Sequence, residues 1–225
     1  MERHFQRELE GLKISLIKMG SMVEENIANA IRSVLEKNGD LAQKVIHTDK
    51  RVDALEIEID NAVIDLLALQ QPLASDLRFI IAAQKINNDL ERIGDHAVNI
   101  AEAAATLCLL PGVEMLEEIP KMADITKMML KEALDGFILL DPSKARLVLE
   151  TDDQIDDLNR LVARRIVELV KNNNQIIEYG LELSRVSRNL ERVADMTTNI
   201  AEEVIFHTQA RIVKHHAEEQ QKSVS

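Results

Sequence analysis

Residues 89–102 read DLERIGDHAVNIAE and residues 189–202 read NLERVADMTTNIAE. The resemblance extends well beyond these stretches. Shifted by 100 positions, Ile86, Leu90, Arg92, Ile93, Asn99, Ile100, Ala101 and Glu102 meet Val186, Leu190, Arg192, Val193, Asn199, Ile200, Ala201 and Glu202. Shifted by 103, Ala42, Val45, Thr48, Asp49 and Asp53 meet Ala145, Val148, Thr151, Asp152 and Asp156. A near-constant offset over so long a span is the mark of an internal duplication. The chain therefore reads as two copies of one unit, residues 1–110 and 111–225, joined through CLLPGVEMLEEIP (Cys108 to Pro120). The prolines and glycine of that join stop a helix without making a long flexible linker, so two packed bundles are expected.

Within the repeated stretch, Ile86, Leu90, Ile93, Ala97, Ile100, Ala104 and Leu107 recur at alternating steps of four and three. That 3.5-residue period marks the seam of a helical bundle. Val45, Val52, Leu55, Ile59, Ala62, Leu66 and Leu69 trace the same pattern one helix earlier. Gly and Pro together number only eleven (7 and 4), and the breaks they help to make are few and spaced. These are KNGD at 37–40, QQP at 70–72, LLPG at 109–112, LDP at 140–142 and KNNN at 171–174. Five breaks divide the chain into six long helices. Asp40, Ser75 and Asp141 with Pro142 are the expected helix starts. The fold class is all-α: two tandem pseudo-repeated three-helix bundles.

Composition removes several functions. The 39 acidic residues outnumber the 27 basic ones for a formal charge of −12, the wrong sign for a nucleic-acid binder. Aromatic residues make up 2%, too few for base-stacking platforms. Cys108 is the single cysteine, so no internal disulfide is expected. No apolar segment follows MERHFQRELE, and none approaches the ~20 residues that span a bilayer. The chain reads as cytoplasmic, with membrane contact only through partners. No Walker, nucleophile-elbow or HExxH motif occurs.

The carboxylates carry the remaining signal. Glu91 and Asp95 follow core residue Leu90 by one and five positions, so they share one stripe of the third helix. Asp49 and Asp53 have the same spacing on the second. The midpoints of the two pairs, 51 and 93, average to 72, which is Pro72 in the turn. Antiparallel helices rise equally from their turn, so the pairs are level. For Asp152 and Asp156 against Glu191 and Asp195 the same average is 173.5, inside KNNN. Each bundle should therefore carry four acids at one height on its exposed surface. Clustered carboxylates repel and call for a cation. An all-oxygen set favours hard ions such as magnesium, manganese, calcium or iron over structural zinc.

Competing readings stand beside this one. Acids at i, i+4 also make an ordinary solvated helix face, with Arg92 and Arg192 as partners and Asp153 with Asp157 as a rival pair. Asn88, Asn99 and Asn199 could add amide oxygens to a metal site. His96 and His47 point away from the acids, and His96 reads as a bundle-surface residue. His207, His215 and His216 read as solvated, Cys108 as an idle thiol, and Gly94 and Ala194 as helix-packing positions. A carboxylate-bridged di-iron redox protein needs Glu-x-x-His, and no glutamate here has a histidine three residues on. A purely structural helical bundle is the third alternative.

ERIGD and ERVAD, with HFQRELEGLKISLIKMGSMVEENIANAI at 4–31 and the duplicated three-helix plan, resemble the PhoU family. The family's paired acidic motif is matched at Asp49, Asp53, Glu91 and Asp95, and again at Asp152, Asp156, Glu191 and Asp195. The resemblance implies a non-enzymatic cytoplasmic regulator, peripheral at the inner face of the membrane, that represses phosphate uptake and the phosphate-starvation regulon. It implies partners in the phosphate transporter ATPase subunit and the phosphate-sensing histidine kinase, and a homodimer. It also implies multinuclear metal clusters on these carboxylates, with identity open among iron, manganese, magnesium, calcium and zinc.

Overall fold

The computed structural model describes residues 2–111 and 115–211. It contains six helices: α1 (Glu2–Leu35), α2 (Gly39–Gln70), α3 (Ala74–Leu109), α4 (Glu118–Leu139), α5 (Pro142–Asn172) and α6 (Ile177–Gln209). A single 3-10 turn, Asn174–Ile176, precedes α6. Among the described residues there is no strand. A helix ends at, or within two residues of, each of the five expected breaks. The join lies partly outside the described residues at 112–114, and the C-terminal tail with His215 and His216 lies outside them altogether.

The starts follow local chemistry. Asp141 caps α5 by accepting from the Ser143 amide at 2.9 Å, with Pro142 in the first turn, as expected. Two expected starts are corrected. Asn38, not Asp40, caps α2, because its side chain sits at the distance to accept from the Leu41 amide (3.0 Å). α3 begins one residue before Ser75, and its cap, Leu73, offers no side-chain acceptor. In so glycine-poor a chain the left-handed turns fall to other residues: Lys37, Gln71, Leu140 and Ala210 all have φ between 47° and 55°.

In the first bundle α1 packs on both α2 and α3, and α2 runs antiparallel to α3. The second repeats this with α4, α5 and α6, although α4 has 22 residues where α1 has 34. The bundles join along α3 and α6, with a smaller contact of α1 on α4. Side-chain pairs fix the register of this seam. Lys85 Nζ meets Glu203 Oε1 at 2.6 Å, Asn199 Nδ2 donates to Asp89 Oδ1 at 3.3 Å, and His96 Nδ1 bonds Asn189 Oδ1 at 2.9 Å. At the far end Arg185 pairs with Glu102 and donates to Asn99 Oδ1 at 3.2 Å. Numbers rise on α3 as they fall on α6, so the helices are antiparallel and the centre of the seam lies near Ile93 and Val193. The two repeats are thus related by a pseudo-twofold axis normal to the α3–α6 plane, and equivalent outer stripes lie on one face.

The core is aliphatic, as the near-absence of aromatics requires. Every α3 seam residue expected to be inside is buried. On α2 the heptad pattern holds to Ile59 and then departs: Val63 is buried in place of Ala62, which is only partly so, and although Leu66 is buried, Leu69 is exposed. A straight helix turns every 3.6 residues, so a 3.5-residue seam drifts off the core unless the helix supercoils. Leu69 also lies in the last turn, where its neighbours end.

Candidate functional site

On α2 Asp53 follows core residue Val52 by one position, as Glu91 follows Leu90 on α3, while Asp49 itself stands at a buried position between Val45 and Val52. Core packing therefore dictates where the carboxylates stand. Asn87 and Gln84 on α3 pin the pairing: Asn87 Nδ2 donates to Asp60 Oδ1 at 2.8 Å and to the Glu56 carbonyl at 3.1 Å, and Gln84 Nε2 donates to Asp60 Oδ1 at 2.7 Å. This register puts Asp49, Asp53, Glu91 and Asp95 at one level, as the turn arithmetic predicts.

Their electrostatics show the convergence. Burial pushes the Asp49 carboxyl up to about 6, and Asp53, Asp95 and Glu91 add to the rise in that order. Glu91 is raised by burial and then by Asp95, Glu56 and Asp53, against a smaller pull from Arg92. Asp53 and Asp95 are exposed and Glu91 is half-buried. Asp49 departs from the expectation of an exposed set, being only 8% exposed. Its Oδ1 makes no hydrogen bond and lies 2.8 Å from the point where a Cβ would sit on Gly94. Gly94 thus makes room for a carboxylate as well as for a helix.

In the second repeat Asp156, Glu191 and Asp195 converge in the same way. Glu191 is raised by burial, opposed by a hydrogen bond from Asn159, and raised further by Asp195 and Asp156. Asp195 is raised by burial and then by Asp156. Asp152, one turn before Asp156, is half-buried where its counterpart Asp49 is buried, and Ala194 stands where the first repeat has Gly94. Arg160 pairs with Asp156 at 3.6 Å and Asp157 at 2.7 Å, so the solvated-face reading holds in part of this repeat. Arg92 and Arg192, expected as ion-pair partners in that reading, act on Glu91 and Glu191 only through the longer-range field.

Both sets offer oxygen donors alone, and Asp49 presents a buried oxygen without a partner, so the donor chemistry fits a hard cation. Among the described residues, no three His, Cys, Asp or Glu side chains are grouped tightly enough to hold one ion as they stand. A shared ion would draw the exposed carboxylates inward by rotation about their side-chain bonds.

Several expectations about neighbouring residues are corrected. His96 is buried at the α3–α6 seam, because Asn189 faces it. Asn99 and Asn199 belong to that seam, bonded to Arg185 and Asp89. His207 is half-buried against Phe79, their rings 5.5 Å apart. Glu56, Asp60 and Asn159 were missed as members of the site. Glu56 and Asp60 stand three and seven residues beyond Asp53, a spacing that places them on its stripe.

A family model described as the PhoU domain matches residues 16–104 and again 119–204. A phosphate-specific transport system accessory protein PhoU homolog of Aquifex aeolicus is 39% identical, over 93% of this chain and 95% of its own. The corresponding protein of Zymomonas mobilis is 34% identical over 90% of this chain and 85% of its own. The crystal structure of PhoU from Pseudomonas aeruginosa matches with a TM-score of 0.89 at 33% identity, covering 92% of this chain and all of that one. That of the phosphate transport system regulatory protein PhoU from Streptococcus pneumoniae gives 0.87 at 30%, covering 94% of this chain and all of that one.

Proposed function

The chain belongs to the PhoU family, and we propose that it is a metal-binding adaptor that represses phosphate uptake and the phosphate-starvation regulon. In this reading it works in the cytoplasm, linking the phosphate transporter's ATPase subunit to the phosphate-sensing histidine kinase. Its work is recognition, and no residue is assigned a catalytic role.

The observation that carries the reading is the duplicated convergence of carboxylates. Asp49, Asp53, Glu91 and Asp95 would hold metal in one repeat, and Asp152, Asp156, Glu191 and Asp195 in the other. Raised carboxyls at Asp49, Glu91, Glu191 and Asp195 mean that burial and mutual repulsion oppose full ionisation of each set, offset only in part by Arg92 in the first and by Arg160, Arg192 and Asn159 in the second. A bound divalent ion or iron cluster supplies that compensation and turns an acidic patch into one whose charge depends on occupancy. The pseudo-twofold axis presents both patches on one face of a rigid scaffold, where a partner can meet them together. The names of the relatives support the phosphate-transport context.

Two measurements test this. Elemental analysis of protein purified without chelator or affinity nickel should find metal, and Glu91→Gln with Asp95→Asn should lower it while circular dichroism stays helical. Unchanged metal content would sink the site assignment. Pull-down with the transporter ATPase subunit and with the kinase's cytoplasmic region should recover the chain, and recovery of neither, with or without metal, would sink the adaptor role.

A further inference from the structure

Beside the first acidic set lies an apolar patch that the core does not need. Ile64 is 61% exposed, and Ile57 and Ile81 are exposed as well. Ile64 stands four residues past Asp60 toward the turn and Ile81 three before Gln84, whose bond to Asp60 fixes the register. The two isoleucines are therefore level to within about one residue, roughly 1.5 Å of rise. Ile57 follows Asp53 by four positions and precedes Ile64 by seven, so all three share one stripe of α2. The second repeat keeps part of this patch: exposed Val167 and Leu181 occupy the positions of Ile64 and Ile81, at the same offsets that align the acids. Ile57, however, is replaced there by Arg160, already paired with Asp156 and Asp157. In the first repeat, among the described residues, no Lys, Arg or His forms an ion pair with Asp53, Glu91 or Asp95.

We propose that the outer face of α2 and α3 in the first repeat is the docking surface for a basic amphipathic helix of a partner protein. The isoleucines take its apolar residues, and the acids take Lys or Arg about three turns further along it. This rests on the adaptor reading and gives the partner its chemistry. Eleven residues separate Asp53 from Ile64, about 16 Å of helix, and that spacing is the signature the partner must match. An exposed aliphatic patch beside uncompensated carboxylates is complementary to a helix with apolar and cationic stretches on one face. A second copy of this chain, at −12, would bring like charge to the acids, and an anionic membrane surface would do the same.

The test uses the full chain in chelator at low salt and a labelled synthetic helix of about 18 residues. The peptide carries leucines on one face of its first turns and lysines on the same face three turns on. Fluorescence anisotropy should show salt-sensitive binding. Ile64→Asn with Ile81→Asn should weaken it by about tenfold or more, as loss of a buried anchor does. Val167→Asn with Leu181→Asn should leave it within about twofold. Asp53→Lys, on the exposed acid, should weaken it independently, which keeps the test intact if the first variant misfolds. The proposal is overturned if the peptide does not bind, if both repeats' variants weaken it equally, or if the first-repeat variants bind as wild type. A change of oligomeric state in Ile64→Asn with Ile81→Asn would assign the patch to a second copy. Flotation of wild type but not of this variant with phosphatidylcholine vesicles would assign it to a membrane; either result overturns the proposal. Pull-down of the full-length partners separates the two readings. Partners that still bind the first-repeat variants leave the adaptor role standing and remove this surface, whereas a peptide that binds while neither partner does leaves the surface and removes that role.

Discussion

Asp49 Oδ1 lies 2.8 Å from where a Cβ would stand on Gly94, closer than real Cβ contacts allow. Gly94→Ala must therefore turn the carboxylate outward, while the helix gains up to about 1 kcal/mol from replacing a mid-helix glycine. We expect thermal stability to hold or rise and the Asp49 carboxyl to fall back toward its ordinary value as it meets water. Carboxyl carbon chemical shifts followed through a pH titration check this. A carboxyl that stays near 6 in the variant would mean that burial at Asp49 does not depend on Gly94. The second repeat has already made the exchange, with Ala194 beside a half-buried Asp152.

The same buried carboxyl sets a pH dependence. Its folded pKa, about 6, exceeds the ordinary 3.8, so the stability it contributes is present below pH 4 and is lost as pH rises through 6. Asp49→Asn removes that loss. The variant should gain on wild type between pH 4 and pH 7, by at most about 3 kcal/mol in metal-free protein. Saturating divalent metal should reverse the order at pH 7, because it binds the native wild type and stabilises it by mass action. Urea unfolding at the two pH values, with and without metal, reads both effects. A gap that does not change with pH would remove Asp49 from the account.

The fold was legible because the repeat offset and the 3.5-residue seam on α3 each constrain it independently. The level of the acids was legible for the same reason, since equal rise from a known turn needs no side-chain detail. The depth of Asp49 was only half so. Its spacing, four residues after Val45 and three before Val52, puts it at a seam position, but a carboxylate there reads as an interruption unless the facing helix gives it room, and the missing Cβ at Gly94 does. His96 was misplaced for a related reason: the seam between bundles pairs α3 with α6, and no periodicity within one helix announces a partner ninety residues away. Asn159 is invisible in any acid-only search, although its spacing from Asp156 puts it on the same side of α5.

Lys85 and Glu203 hold the seam at one end, with Glu203 buried and Lys85 partly exposed. Removing each partner should not cost the same. Lys85→Met leaves a buried carboxylate whose other oxygen, Oε2, already lacks a hydrogen-bond partner. Glu203→Gln leaves a neutral amide beside an ammonium that can reach water. We expect Lys85→Met to destabilise by about 2 kcal/mol and Glu203→Gln by about half that. A double-mutant cycle by chemical denaturation measures the coupling. Equal single costs with no coupling would show that the seam rests on its apolar contacts instead.

His96 answers acid in the opposite sense to Asp49. Burial is the main cause that lowers its pKa from 6.5; Arg192 and Arg92 lower it further, while the bond to Asn189 and the field of Asp95 oppose them. A histidine held neutral in the folded chain loses stability as pH falls below 6.5, because the unfolded chain takes up the proton more readily. Asp89, at the same seam and pushed up to about 6, works the other way over an overlapping range, so the two partly cancel. His96→Gln keeps a polar group facing Asn189 and removes one side of the balance. The variant should gain stability relative to wild type between pH 7 and pH 5, the reverse of Asp49→Asn. Denaturation at both pH values decides it: a stability difference that does not move toward the variant between pH 7 and pH 5 would mean that burial does not lower the His96 pKa in the folded chain.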